Sequence, residues 1–216
     1  MDQDLPDTVD WRDKGAVGPV QNQGNTKTCW AFASVACVEA LNYQATGVFT
    51  KLSEQQVIDG AVASKCLQGW VQRAFDFIIK NRGLATQEDY PWKGVANPLR
   101  QTQLVYGAID DYARTYQNHE LQMKRAVAKC PVTVAIDSSN PRFLHYEGGI
   151  YREPIRKNIL NHMMAVVGYG STYHGGDYWI CYPLLTNLPF WVLLDAGKEP
   201  AAQSLTPNPN EFPLAL

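Results

Sequence analysis

Charge of either sign is nearly absent as a net quantity: 19 Lys and Arg stand against 21 Asp and Glu, a formal charge of -2 over 216 residues. No basic cluster could follow a phosphate backbone, which argues against a nucleic-acid partner. No apolar run approaches the roughly 20 residues a membrane helix needs, so no membrane association is expected. The opening "MDQDLPDTVD" lacks the basic start and apolar core of a secretory signal, so an exported protein is expected here in its processed form. There is no Asn-x-Ser/Thr sequon, no internal repeat and no His-Glu-x-x-His or comparable ligand spacing, and neither a metal nor another cofactor is implied. Cysteine is scarce and odd in number. Five residues (Cys29, Cys37, Cys66, Cys130, Cys181) without regular spacing do not form a disulfide framework or a paired zinc motif, and at least one thiol has no internal bridge partner.

What is present is a 45% hydrophobic chain long enough for one large domain or two small ones sharing an interface. From Thr28 to about Gln44, Ala31, Val35, Val38 and Leu41 recur at steps of three and four, and Gly47 follows as a stop, which predicts a helix. Thr28 fits the N-cap, which puts Cys29 in the first turn, where free N–H groups favour an anion. "LSEQQVID" carries a capping box, Ser53 with Gln56, for a second helix. "WVQRAFDFIIKNRG" predicts a third, ended by Gly83, and "ELQMKRAVAK" a fourth. Beyond it the texture turns to β: "PVTVAID", "GGIYREP", "HMMAVVGYG" and "DYWICY" are short, branched or aromatic, with Gly and Pro between them. Helix first and sheet second predicts an α+β fold of two subdomains, divided near "YGAIDDYARTY", with a ligand cleft between them.

A cysteine nucleophile needs a thiolate, a base to shuttle a proton and donors for the oxyanion. In "QNQGNTKTCWAF" Cys29 has the helix start, yet taken alone a cysteine before Trp-Ala-Phe is more often a small apolar residue opening a buried helix. Four histidines are available as base. His119 sits at a helix start, His145 lies in "FLHYEGG" and His174 in a Gly-rich loop. His162 opens the strand "HMMAVVGYG" more than 130 residues after Cys29, so it would face the nucleophile from the other subdomain.

Eight motifs occur in order from about residue 5 to 180: "VDWRDKGAVGPVQNQG", "CWAFASVACVEALN", "LSEQQVID", "EDYPW", "PVTVAID", "GGIY", "LNHMMAVVGYG" and "DYWI". Together they resemble the mature domain of papain-like cysteine proteases, the plant branch in particular. The resemblance implies a single peptidase domain over 1–216. Its helical subdomain would span about 12–113, and about 1–11 with 114–216 would form a β-barrel-like subdomain. It places the nucleophile on Cys29, the imidazolium partner on His162, and the oxyanion-hole amide on Gln23 beside the Cys29 N–H. The substrate-binding wall falls on Gln68 and Gly69, where the family has two glycines, and the specificity pocket on Trp70, Ala135 and Met163. Asn161 precedes the base in the same wall. Peptide or protein substrates, inhibitors of the cystatin type, a monomeric state and a secreted, vacuolar or lysosomal location are the further expectations.

The pattern breaks in two places. Before the nucleophile the family reads Cys-Gly-Ser-Cys, and here the residues are Thr26, Lys27, Thr28 and Cys29. Thr26 cannot bridge to Cys66, and Lys27 puts a cationic chain where glycine lines the substrate channel. Gly60 stands where another bridge cysteine is expected, with Ser204 the nearest match to a third. Beyond Ile180 the family continues Lys-Asn-Ser-Trp-Gly, whereas this chain reads "CYPLLTNLPFWVLLDAGKEP". Pro183 thus replaces the asparagine that orients the imidazole, and Leu185 the tryptophan that shields it; proline offers no side-chain acceptor. Asn187 could substitute only in a rebuilt loop. The sequence therefore points to a cysteine endopeptidase weakened by loss of the orienting group, or to a silent homologue with a binding, storage or defence role. In either case "FWVLLD" has the apolar character to form a strand over 189–195 beside "HMMAVVGYG", and His162 should lack a side-chain partner on its second nitrogen.

Overall fold

A computed structural model describes residues 5–62, 67–116, 119–152, 160–174 and 176–183, with the backbone alone of 192–195 and 205–207. In chain order the elements are β1 (Val9–Asp10), α1 (Cys29–Thr46), α2 (Glu54–Ala61), α3 (Val71–Asn81), β2 (Tyr112–Arg114), α4 (Glu120–Lys129), β3 (Val132–Ile136), α5 (Pro141–Leu144), β4 (Ile150–Tyr151), β5 (His162–Ser171), β6 (Asp177–Tyr182), β7 (Val192–Asp195) and β8 (Leu205–Pro207). Helices thus dominate the first half and strands the second, as the periodicities predict.

α1 starts at Cys29 and ends at Gly47, whose φ of 73 lets its N–H bond the Tyr43 carbonyl at 2.7 Å. It differs from the predicted one-sided helix: every residue from Cys29 to Asn42 is buried. Over those residues the helix has no solvent face and forms the centre of the molecule, packed on α2, α3, β3 and above all β5; only its last turn reaches solvent. Thr28 occupies the cap position without capping, because its hydroxyl meets that of Thr26 at 2.5 Å. Half of the capping box at α2 forms. Ser53 Oγ accepts from the Gln56 N–H at 3.0 Å, but the Gln56 side chain turns away, accepting from the Ala85 N–H and donating to Thr102 Oγ1.

The strands form one sheet in the order β2-β8-β3-β5-β6-β7-β4, with β1 also on β5. β5 is buried from His162 to Gly170, which explains its unbroken apolar run between flanking strands and α1. β1 brings the start of the chain onto β5 with Val9 opposite Tyr169 and Asp10 opposite Gly168. Gly168 is required there, since a Cβ would lie 2.2 Å from the Val9 carbonyl oxygen. Pairing with β3 sets Met163 opposite Ala135 and His162 opposite Ile136, fixing which residue begins the strand. Of the strand expected over 189–195, Val192–Asp195 is present as β7, antiparallel to β6 and parallel to β4. Residues 189–191 lie outside the described residues, as do Leu185, Asn187, Cys66 and Ser204.

The positions that lack bridge cysteines are filled in other ways. Cys29, Cys37, Cys130 and Cys181 are free and buried. At Gly60 the ring of Phe77 occupies the space, only 2.0 Å from where a Cβ would sit.

Candidate active site

The start of α1 and the start of β5 meet at a cleft of about 380 Å³. Its α1 side is lined by Gln23, Thr26, Lys27, Cys29 and Trp30; Gln68, Gly69 and Trp70 form a second wall, and Ser138, Leu160, Asn161, His162 and Met163 a third. Eight of the nine expected site residues therefore converge here, from three separate stretches of chain. Ala135 does not line the cleft. It is buried in β3, with Met163 opposite it in the register. Ser138 and Leu160 were not anticipated. Ser138 is drawn in by Asn161, whose side-chain oxygen accepts from the Ser138 N–H at 2.8 Å and hydroxyl at 3.0 Å. Nothing in the local sequence signals that loop-to-strand tie, which depends on β3 and β5 pairing first.

Cys29 is the first residue of α1 and is 9% exposed. The helix start favours a thiolate, but burial pushes the thiol up, and that effect is the larger. Backbone groups of Met163, Trp30 and Cys29 itself pull the other way. The expectation of a lowered thiol thus meets desolvation, which the sequence pattern does not encode. Burial pushes the other described thiols up too, Cys130 to about 12 and Cys37 well above its ordinary range.

His162 is the one histidine that lines the cleft among the described residues. His119 is spent as the cap of α4, its Nδ1 accepting from the Gln122 N–H at 3.2 Å. His145 caps α5, and His174 is exposed with its ring edge-on to Tyr173. His162 is 4% exposed, and burial pulls its pKa down to about 4, against a weaker opposing pull from the Pro183 backbone. Its Nε2 is buried and has no hydrogen-bond partner among the described residues. Pro183 itself is described and, as expected, supplies no side-chain acceptor.

Gln23 is 6% exposed and held by a short loop. Its Nε2 donates to the Thr26 carbonyl at 2.8 Å, and Thr26 Oγ1 donates back to the Gln23 carbonyl at 2.7 Å. One Nε2 hydrogen is used in this way, and the amide has a second to offer. Trp30 anchors the facing wall, its Nε1 donating to the Leu67 carbonyl at 2.9 Å. Its ring lies under Gly69, where a Cβ would fall 2.5 Å away, so a glycine is needed for close approach.

Among the described residues no group of three His, Cys, Asp or Glu side chains is placed to hold a metal, and no helix is long and apolar enough to cross a membrane.

The papain family cysteine protease profile matches residues 5–182, ending directly before Pro183. Zingipain-2 from Zingiber officinale is 41% identical over 181 residues, covering 82% of this chain and 80% of the relative. Fruit bromelain from Ananas comosus is 40% identical over 179 residues; the match covers 82% of this chain and 50% of that longer protein. In structure, the chain is similar to the bromelain protease from Ananas comosus solved with an inhibitor, at TM-score 0.84 and 35% identity over 94% of this chain and 99% of that one. It is also similar to the Amb a 11 cysteine protease, a ragweed pollen allergen solved in its proform, at TM-score 0.88 and 30% identity, covering 97% and 68%. The named relatives from ginger and pineapple are plant proteins, and the cleft joins cysteine and histidine from the two ends of the fold: the chain belongs to the papain family of cysteine proteases.

Proposed function

We propose that this chain is a cysteine endopeptidase in which Cys29 attacks the scissile carbonyl, His162 carries the proton, and Gln23 with the Cys29 N–H receives the oxyanion. The observation that carries this reading is the meeting of Cys29, His162 and Gln23 in one cleft. With Nε2 buried and unpartnered among the described residues, Nδ1 is assigned to take the thiol proton and later return it to the leaving amine. The sulfur then bonds the carbonyl carbon, and water cleaves the resulting thioester through a second oxyanion held by the same donors.

The reaction is expected to be slow. Burial favours neutral thiol and neutral imidazole, so the ion pair forms only through mutual stabilisation. An acceptor on Nε2 would stabilise the imidazolium, and among the described residues none is present. These same features support the second reading, a homologue that binds peptides without turning them over. Protein inhibitors of the cystatin type, a monomeric state, a secreted or vacuolar location and the division into about 12–113 and the remaining β-rich part belong to the first reading.

Active-site titration with a thiol-reactive peptidyl epoxide separates the two. Stoichiometric labelling of Cys29, with slow hydrolysis of unmodified peptides, is the expected result. Reversible peptide binding without labelling or turnover would establish the binding homologue instead.

A further inference from the structure

Of the residues that line the cleft, Lys27 alone carries a full side-chain charge at neutral pH. The rest of its α1 side is Gln23, Thr26, Cys29 and Trp30, and Gln68 and Trp70 stand on the facing wall. No Asp or Glu is among the lining residues, and among the described residues Lys27 makes no ion pair. Its direction follows from its neighbours. Thr26 and Thr28 bring their hydroxyls together at 2.5 Å, and Thr26 is bound again to the Gln23 carbonyl, so the residue between them is turned away from that contact. Thr28 is fully buried, whereas Lys27 is exposed at the cleft. The ammonium is therefore carried on a hydrogen-bonded loop two residues from the nucleophile.

A cation without a counter-ion beside an otherwise neutral groove attracts anions and repels cations. Unlike a buried pair, it remains hydrated before binding, so little desolvation opposes contact with a carboxylate. We propose that Lys27 is a specificity-determining residue that selects peptides carrying an Asp or Glu side chain next to the scissile bond and disfavours those with Lys or Arg there. This rests on the cleft being the peptide site.

The experiment uses three peptides differing at one position beside the cleaved bond: Asp, Asn and Lys. For the wild-type chain at low ionic strength, kcat/KM for Asp over Asn should be about threefold to fivefold, the upper part of the range one exposed pair supplies. The ratio should approach one at about 0.5 M salt, where screening shortens the field to a few ångströms. Lys27→Met should bring the ratio to one, and Lys27→Glu should invert it in favour of the Lys peptide. The ratios are compared within each variant, so a general change in turnover does not affect them. Should no peptide be hydrolysed, the endopeptidase reading fails and the same ratios are read as dissociation constants from tryptophan fluorescence. Equal values for Asp and Asn peptides in both wild type and Lys27→Met would overturn the proposal, whichever readout supplies them.

Discussion

On the α1 side of the cleft, Gln23, Thr26 and Thr28 are joined by three hydrogen bonds within six residues of chain, and Cys29 follows on a helix start. On the β5 side, His162 enters from a strand whose position depends on pairing with β3, and its Nε2 is buried with no partner among the described residues. One wall is assembled from local contacts. The other is assembled from long-range contacts, with the Pro183 backbone, the first residue beyond the family match, acting on the imidazole. Under the endopeptidase reading, nucleophile and oxyanion donor can thus survive sequence drift that leaves the base less supported, because loop hydrogen bonds close within a few residues whereas the imidazole's environment is gathered from across the sheet.

The hardest test of this contrast removes each wall's central group. Under the endopeptidase reading, His162→Ala should lower kcat by more than about 10³-fold if the weakly supported imidazole still serves as base, short of the roughly 10⁶-fold lost when a well-supported base is removed. Gln23→Ala should cost about 10²- to 10³-fold, the usual loss of one oxyanion donor. If the His162 variant loses less than the Gln23 variant, the β5 wall contributes little and the residual activity comes from oxyanion stabilisation alone. Initial rates with one fluorogenic peptide give both numbers.

The pH dependence of stability sharpens the same comparison through charges of opposite sign. His162 falls from an ordinary 6.5 to about 4 on folding, so it contributes stability that is complete above the unfolded value and is lost as pH falls through the folded one. At about 1.4 kcal/mol per pH unit that contribution is about 3 kcal/mol, and it should disappear between pH 6.5 and 4. The helical side behaves in the opposite sense. Glu39 is buried, and desolvation with Glu54 pushes its carboxyl up against the pull of Lys51, whose Nζ donates to Glu39 Oε1 at 2.8 Å. A raised carboxyl contributes stability at low pH that is lost as pH rises through its folded value. Urea unfolding at pH 7 and pH 4.5 should show His162→Gln losing part of the acid sensitivity. Glu39→Gln should flatten the loss on the neutral side. An unchanged acid slope in His162→Gln would mean that the imidazole is solvated in the folded protein.

A third test addresses the wall opposite α1. Gly69→Ala would put a methyl group 2.5 Å from the Trp30 ring, so the loop must move or the ring must tilt. A destabilisation of about 1 to 3 kcal/mol is expected, as for overpacking elsewhere. Thermal unfolding of Gly69→Ala beside Gly69→Ser measures it, and a change within experimental scatter for both would show that this wall yields freely.

How much of this was legible from the chain alone follows the same local and long-range divide. Gly47, Ser53 and the apolar steps between Thr28 and Gln44 announce α1 and α2 because capping and periodicity are properties of neighbouring residues. The all-round burial of α1 was not legible, because it is imposed by β5, β3 and the other helices. Thr28 reads as a cap from its position, yet its hydroxyl is spent on Thr26, a choice between two acceptable partners that propensity cannot make. The cleft residues were readable where a motif carries them. Ser138 was not, since it arrives by tertiary contact with Asn161, and Leu160 stands in the "LNHMMAVVGYG" motif with nothing in its type to mark it as lining. Ala135 was expected in the cleft, but the register places it within the sheet next to Met163. The upward push on Cys29 likewise comes from burial by distant elements, while the helix start that opposes it is local.

The smallest expected effect tests whether the α1 wall owes its order to hydrogen bonds that stand where the family has a covalent bridge. Thr26 cannot form a disulfide; instead its hydroxyl donates to the Gln23 carbonyl and meets Thr28, while its carbonyl holds Gln23 Nε2. Thr26→Val keeps the shape and the backbone carbonyl and removes only the hydroxyl. One such bond contributes about 1 kcal/mol, which under the endopeptidase reading corresponds to about a fivefold drop in kcat if the loosened loop lets Gln23 wander from the oxyanion. KM should change little, because the donor acts on charge that develops only during attack. Thr26→Ser should restore kcat, since it returns the hydroxyl without the methyl group. A purely structural role would instead lower thermal stability in Thr26→Val and leave kcat of the remaining folded protein at the wild-type value. That result would show that the Thr26 carbonyl alone suffices to position Gln23, the hydroxyl contacts contributing to stability and not to the geometry of the α1 wall.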